Sequence, residues 1–258
     1  MTSVAPRDRA TIQLRDLGGL RGFGEPPRAS TTLEVRWIHR GPVPEAMIAW
    51  LGPFADRIER REDRYFVDPT DPDLGVKIRD AVRFDLKASR GSLGKLTVPG
   101  AGRGRLELWE KWSFPLHETA LASADGTGWL GLEKSRRRRS FSVGDDEVVE
   151  RPVDQAELPG CSVELTEVAI GRGLWWTLGF EATGARETLE RNLHATVARL
   201  FREPSPDPKL LDLRHSMSYP KWLHKKLARS RAASRDMLTT ETETDGPGAA
   251  SWSWPVAN

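Results

Sequence analysis

The stretch TTLEVRWIHR, Thr31 to Arg40, gives the clearest indication of the fold in this sequence. Apolar and polar side chains alternate along it, so the two sets would point to opposite faces of an extended strand. The apolar set is Leu33, Val35 and Trp37, and the polar set is Thr32, Glu34 and Arg36. Such alternation with β-branched and aromatic residues is typical of a β-strand. The stretch therefore predicts a strand with one apolar and one charged face.

The chain from Arg64 to Glu181 continues as a series of predicted strands separated by turn-prone segments rich in Gly, Pro and Asp. The predicted strands are RYFVD, GVKIRD, RFDLKAS, RLELWEKWSF, WLGLEKSRRRRSF, CSVELTEVAI and WWTLGFEA. Many strands with few helices indicate an α+β domain built on an antiparallel β-barrel.

Two helices are predicted beside the strands. Apolar residues recur at helical spacing in PVPEAMIAWLGPFADRIERRE, where Pro53 would interrupt or kink the helix. A second helix is predicted after Thr183, because Leu189, Leu193 and Val197 follow one another at intervals of four. The barrel is therefore expected to carry a few flanking helices.

The 258 residues suffice for one large domain or two small ones, and the pattern divides them into three parts. Residues 1–30 are expected to be irregular, and 31–203 to form the barrel domain with its helices. Residues 204–258 are expected to form a C-terminal strap and a disordered tail. Within the strap, SYPKWL would pack Tyr219 and Trp222 on the barrel.

The composition indicates the expected cellular compartment but says little about binding partners. The formal net charge of +2 is near balance and says little about partners, and the single Cys161 excludes an intramolecular disulfide. No apolar run approaches the roughly 18 residues that span a bilayer, and the N-terminus lacks the apolar stretch of a secretory signal. A cytoplasmic protein without a membrane partner is therefore expected.

Charged residues two positions apart share a face in most of the predicted strands. The sets that matter most are Glu34 with Arg36, Lys77 with Arg79, Asp85 with Lys87, and Lys134 with Arg136 and Arg138. A solvated outer face is the simplest interpretation. If these faces instead converge inside a barrel, the cations would bind phosphates and the carboxylates would hold a divalent metal such as Mg or Mn.

The four consecutive arginines, Arg136 to Arg139, are divided between two faces if they lie in a strand. We expect Lys134, Arg136 and Arg138 to point inward, and Arg137 and Arg139 to be solvated. A register slip of one residue would exchange the two sets. The alternative is a basic patch for nucleic acid, although the apolar residues on both sides of the run argue against a free basic tail.

The order of these motifs resembles the CYTH superfamily, the triphosphate tunnel metalloenzymes. TLEVR matches that family's opening Glu-x-Glu-x-Lys strand, VKIR its Lys/Arg-x-Arg strand, and FDLK its strand ending in lysine. KSRRRR, VELTEV and GFEA follow in the order of its arginine-rich, acidic and closing strands. The similarity covers roughly Thr32 to Ala182. Two positions depart from the pattern, since Thr32 and Gly179 stand where the family has glutamates.

The resemblance implies a closed tunnel that binds a triphosphate or polyphosphate-type anion, with hydrolysis of a phosphoanhydride that depends on Mg or Mn. By this resemblance Glu34 and Lys87 would be catalytic. The phosphate-binding residues would be Arg36, Lys77, Arg79, Lys87, Lys134, Arg136 and Arg138. The metal ligands would be Glu34, Glu164 and Glu181, with Glu167 as the alternative to Glu164.

The two missing glutamates favour a divergent member and leave a second hypothesis open. A metal centre that lacks ligands holds at least one ion weakly, whereas phosphate binding by lysines and arginines would survive. The alternative is therefore a non-catalytic module that binds a nucleotide, a polyphosphate or a phosphorylated partner.

Overall fold

The computed structural model describes residues 28–52, 58–68, 70–98, 100–116, 128–145, 147–155, 158–203 and 207–229. Its strands are β1 Arg28–Arg40, β2 Glu59–Phe66, β3 Leu74–Arg79, β4 Arg83–Val98, β5 Gly102–Pro115, β6 Trp129–Val143, β7 Val148–Arg151, β8 Gly160–Ile170 and β9 Gly173–Thr183. The helices are α1 Glu45–Leu51 and α2 Leu189–Leu200, with α3 at 219–229. In this described part of the chain, none of the helices is long and apolar enough to cross a bilayer.

The strands close into a barrel. The hydrogen-bonded order is β2-β3-β4-β5-β1-β9-β8-β6, and β6 pairs back with β2 to complete the ring. Each of these pairings is antiparallel. The short β7 is attached to β6 outside the ring. The structure confirms the predicted α+β class with an antiparallel β-barrel.

The main apolar core lies on the outer wall of the barrel. Leu33, Val35 and Trp37 of β1 are buried in it, as the alternation predicts. Alternate residues of β8 and β9 join them, and α1 and α2 cover the cluster from outside. Because one face of β1, β8 and β9 packs in this core, the opposite face of these strands points into the barrel.

A second apolar cluster fills one end of the barrel. Ile38, Leu132 and Val168 continue the inward faces of β1, β6 and β8 and pack against Trp222 and Leu223 of α3. The segment before α3 runs beside β1, where the Met217 amide donates to the Arg36 carbonyl over 3.0 Å. Helix α3 therefore closes this end of the barrel, and the polar interior ends at the apolar plug.

Trp222→Ala is expected to lower the free energy of unfolding by about 3–5 kcal/mol, the range for truncating a buried aromatic side chain. Trp222 is 5% exposed and packs edge-on against Trp175. Leu93→Ala, at a position that is 40% exposed, is the matched control and should change stability little. Denaturant unfolding measures both variants, and equal midpoints would contradict the role of α3 as a plug.

Two boundaries differ from the sequence prediction. Helix α1 ends at Leu51, with Gly52 capping it at a φ of 91°. The predicted continuation through Glu62 is wrong, because Glu59–Phe66 pairs with β6 and closes the barrel. At the start, β1 begins at Arg28, inside the segment predicted to be irregular.

Other sequence predictions fall outside the described residues. They are the irregular character of residues 1–27, the interruption at Pro53 and the disordered tail from residue 230 onward.

A candidate anion-binding cavity

The barrel encloses a cavity of about 750 Å³ between the apolar plug and the opposite mouth. Eleven lysine and arginine residues and five aspartate and glutamate residues contribute to its wall. All ten of the site residues predicted from the sequence are among them, namely Glu34, Arg36, Lys77, Arg79, Lys87, Lys134, Arg136, Arg138, Glu164 and Glu181. The structure therefore brings these side chains together, while their chemical roles remain predictions.

The sequence reasoning missed several wall residues. Arg61 of β2 lines the cavity, as does Tyr219 at the start of α3. Asp63, which alternates with Arg61 on β2, is fully buried beside them. Residues 60–64 are all charged and show no apolar alternation, so the helical pattern that precedes them extends through Glu62 and gives no sign of Arg61 and Asp63 as inward residues.

Asp63 is the shared counterion of three cations. Lys134 Nζ donates to its Oδ2 over 2.7 Å, and Lys77 Nζ lies 3.6 Å from the same oxygen. Arg61 Nε lies 3.3 Å from Oδ1. Burial opposes the charged form, but Lys77, Lys134 and Arg61 together hold the pKa of Asp63 well below its ordinary value. Asp63 is therefore a permanent anion within the cationic wall.

Lys134 lies at the plugged end, between two aromatic rings. Its Nζ is 4.7 Å from the ring centroid of Tyr65 and 4.2 Å from that of Tyr219. It also donates to Tyr65 Oη over 2.9 Å. Burial is the main cause that lowers the pKa of Lys134 to about 7, against the opposing effect of Asp63. This lysine therefore gains or loses its charge near neutral pH.

The affinity of the cavity for anions is expected to rise as the pH falls from about 8 to about 6, because Lys134 then becomes protonated. Calorimetric titration with tripolyphosphate across this range measures the effect. Since the ligand also titrates, the wild type is compared with Lys134→Gln at each pH. A pH profile identical in the two proteins would contradict the role of Lys134.

Glu164 lies between two guanidinium groups. Arg36 Nη2 donates to its Oε2 over 3.3 Å, and Arg136 Nη1 donates to Oε1. Burial opposes ionisation, but these arginines hold the pKa of Glu164 well below its ordinary value. Glu167, the alternative ligand, lies on the outer face of β8 and accepts from the amide of Val43 over 3.4 Å. The register therefore places Glu164, and not Glu167, in the cavity wall.

Glu34 is also engaged with its neighbours. Thr32 Oγ1 donates to Glu34 Oε1 over 2.8 Å, and Lys87 Nζ forms a short ion pair with the same oxygen. Thr32 thus serves as a hydrogen-bond donor to Glu34. Lys87 Nζ also lies 4.7 Å from the ring centroid of Trp109.

The predicted metal ligands do not fit a divalent cation in this arrangement. Mg and Mn require carboxylate oxygens directed at the ion, but Glu34 and Glu164 direct oxygens at Lys87, Arg36 and Arg136. Among the described residues, no three His, Cys, Asp or Glu side chains form a group that could hold a metal ion. The local charge balance is therefore maintained by arginine and lysine.

The four consecutive arginines follow the predicted division between two faces only in part. Arg138 lines the cavity, as predicted for the inward set. Arg139 was predicted to be solvated, which is wrong. It forms an ion pair with Glu150 of β7 and donates to the Leu51 carbonyl over 2.8 Å, so it connects β6 to α1.

The chain is similar to known proteins in structure but not detectably in sequence family. No protein-family model matches the chain, and the search of curated proteins found no match. Among solved structures, a protein from Pyrococcus horikoshii is 14% identical at a TM-score of 0.41, covering 75% of this chain and 99% of that one. A conserved hypothetical protein from Pyrococcus furiosus is 17% identical at a TM-score of 0.38, covering 73% and 98%.

A proposed adenylate cyclase from Bacillus halodurans is 14% identical to this chain at a TM-score of 0.32. That alignment covers 66% of this chain and 91% of the other.

Proposed function

We propose that the cavity binds a triphosphate or polyphosphate-type anion and that the chain is a divergent relative of the CYTH superfamily. The observation that carries the proposal is the excess of lysine and arginine over carboxylates in the wall of one enclosed cavity. Charge-assisted hydrogen bonds from these groups to phosphate oxygens are strong. The ordered strand motifs and the closed barrel support the family resemblance.

The volume of the cavity suits a compact ligand. Its volume of about 750 Å³ lies within the range of small-molecule sites. The first residues of α3, Tyr219 and Pro220, line the closed end.

Binding is tested by calorimetric titration of the full chain with inorganic tripolyphosphate, ATP and thiamine triphosphate. We expect a saturable heat signal that weakens as salt is raised, because surface and cavity cations are screened. Lys87→Ala should weaken it, whereas Arg137→Ala, on the opposite face of β6, is the control. The proposal fails if none of these anions produces heat at low salt.

Hydrolysis of the bound anion is a separate proposal that follows from the resemblance alone. It assigns Glu34 and Lys87 to catalysis and Glu34, Glu164 and Glu181 to Mg or Mn. Phosphate release from the three substrates with each metal tests it, with Glu34→Ala as the control. Release no faster than that of the control would leave a binding module, which the engaged carboxylates favour.

A further inference from the structure

Arg36 lies against Gly179 on the inner wall of the barrel, and the glycine makes room for it. The two residues are direct neighbours across β1 and β9, and Glu164 is the next residue of the same row on β8. A β-carbon at position 179 would lie 2.7 Å from the guanidinium carbon of Arg36 and 2.8 Å from both terminal nitrogens. Any side chain at this position would therefore displace the guanidinium group.

The guanidinium of Arg36 is fixed by contacts with three elements. It donates to Thr177 Oγ1 over 3.0 Å and to Glu164 Oε2 over 3.3 Å. Its carbon lies 4.8 Å from the ring centroid of Tyr219. An arginine has five N–H donors in a planar fork, and these contacts hold that fork against the cavity wall.

The contacts of Glu164 and Glu34 explain why a divalent ion has no place in this arrangement. Both oxygens of Glu164 accept from arginines, and Glu34 accepts from Thr32 and Lys87. A metal ion would have to displace these cations before it could bind Glu164 or the engaged oxygen of Glu34. The positive charge that a metal would supply is already present in the side chains.

We propose that the guanidinium of Arg36, seated on Gly179, is the built-in cation of this site, so that the cavity binds its polyphosphate-type ligand as the metal-free anion. This inference rests on the proposed function and specifies the form of ligand that the site takes. Free Mg²⁺ or Mn²⁺ would then weaken binding, because the ion neutralises the ligand before it enters the cavity.

The first test uses Mn²⁺ alone with the wild-type protein. Calorimetry is expected to detect no Mn²⁺ site tighter than about 1 mM. A site of micromolar affinity would overturn the inference and leave the proposed anion binding intact.

The second test compares tripolyphosphate titrations in EDTA and in excess Mn²⁺. Affinity in EDTA is expected to equal or exceed that with the metal. An affinity at least about tenfold higher with Mn²⁺, equivalent to about 1.4 kcal/mol, would overturn the inference alone. Absence of heat in both buffers would overturn the proposed function and this inference with it.

The third test asks whether Gly179 acts through Arg36, using Gly179→Ala, Arg36→Ala and the double variant in a mutant cycle. Each single variant is expected to lower tripolyphosphate affinity by about tenfold or more, as loss of one charge-assisted contact does. The double variant should bind no more weakly than Arg36→Ala and should have the same melting temperature as Arg36→Ala. Without the guanidinium group, the added β-carbon at position 179 has nothing to clash with. A further loss of affinity or stability in the double variant would contradict the seating of Arg36 on Gly179.

Discussion

Asp63→Asn is expected to lower the free energy of unfolding by about 3–5 kcal/mol, as loss of one partner from a buried ionic cluster does. The asparagine keeps the shape of the side chain but removes the negative charge that Lys77, Lys134 and Arg61 share. Lys134, which is 4% exposed, would then lose its carboxylate partner, while Lys77 would keep only its pair with Asp85 and Arg61 its pair with Glu59 among the described contacts. Urea unfolding of the full chain measures the loss.

The same variant should recover stability when tripolyphosphate is added. A bound anion replaces the missing charge, so the gain should be larger for Asp63→Asn than for the wild type. Asp145→Ala is the control, because the Asp145 side chain is 93% exposed and its pair with Arg191 contributes little. An Asp63→Asn variant as stable as the wild type would show that the cations do not depend on this carboxylate.

Arg136→Ala is expected to have the largest effect on ligand binding, lowering tripolyphosphate affinity by about 10- to 100-fold. Arg136 binds Glu164 and Glu59, so its loss removes a cation and also uncovers carboxylate charge beside the ligand. Calorimetry at one low salt concentration measures the affinity. Arg137→Ala is the matched control, one residue along the same strand and on the opposite face.

The double variant Arg136→Ala with Glu164→Gln separates the two contributions to that loss. Removing the uncovered charge of Glu164 should restore part of the affinity. If it restores none, repulsion from Glu164 is not part of the effect of Arg136→Ala. If Arg136→Ala binds as tightly as the wild type, Arg136 does not contact the ligand.

Strict alternation is what made much of the site predictable. In β1 the apolar residues Leu33, Val35 and Trp37 mark the outer face, so the charged set that faces inward follows directly from the pattern. Antiparallel pairing then brings inward residues of distant strands together, as with Arg36, Gly179 and Glu164. Whether the strands form a closed ring depends on the pairing of β2 with β6, which no local pattern encodes.

The incorrect sequence predictions fall where this alternation is absent. Residues 59–62 are all charged, so they carry no apolar alternation, and the preceding helical pattern was extended through them. Their strand conformation depends on pairing with β6. The contact of Arg139 with Glu150 was missed because β7 is a four-residue strand without a clear pattern. Tyr219 was expected to pack on the barrel, but its position inside depends on the path of the preceding segment.

The ion pairs inside the barrel constrain how its sequence can diverge. Arg136 cannot be exchanged for a neutral residue without exposing Glu164, and Lys87 stands in the same relation to Glu34. Relatives with a different ligand are therefore expected to replace these partners jointly, leaving a covariation signal between β6 and β8 and between β4 and β1. The outward residues of β1 and β8, which pack in the apolar core, would stay apolar while the inward ones change.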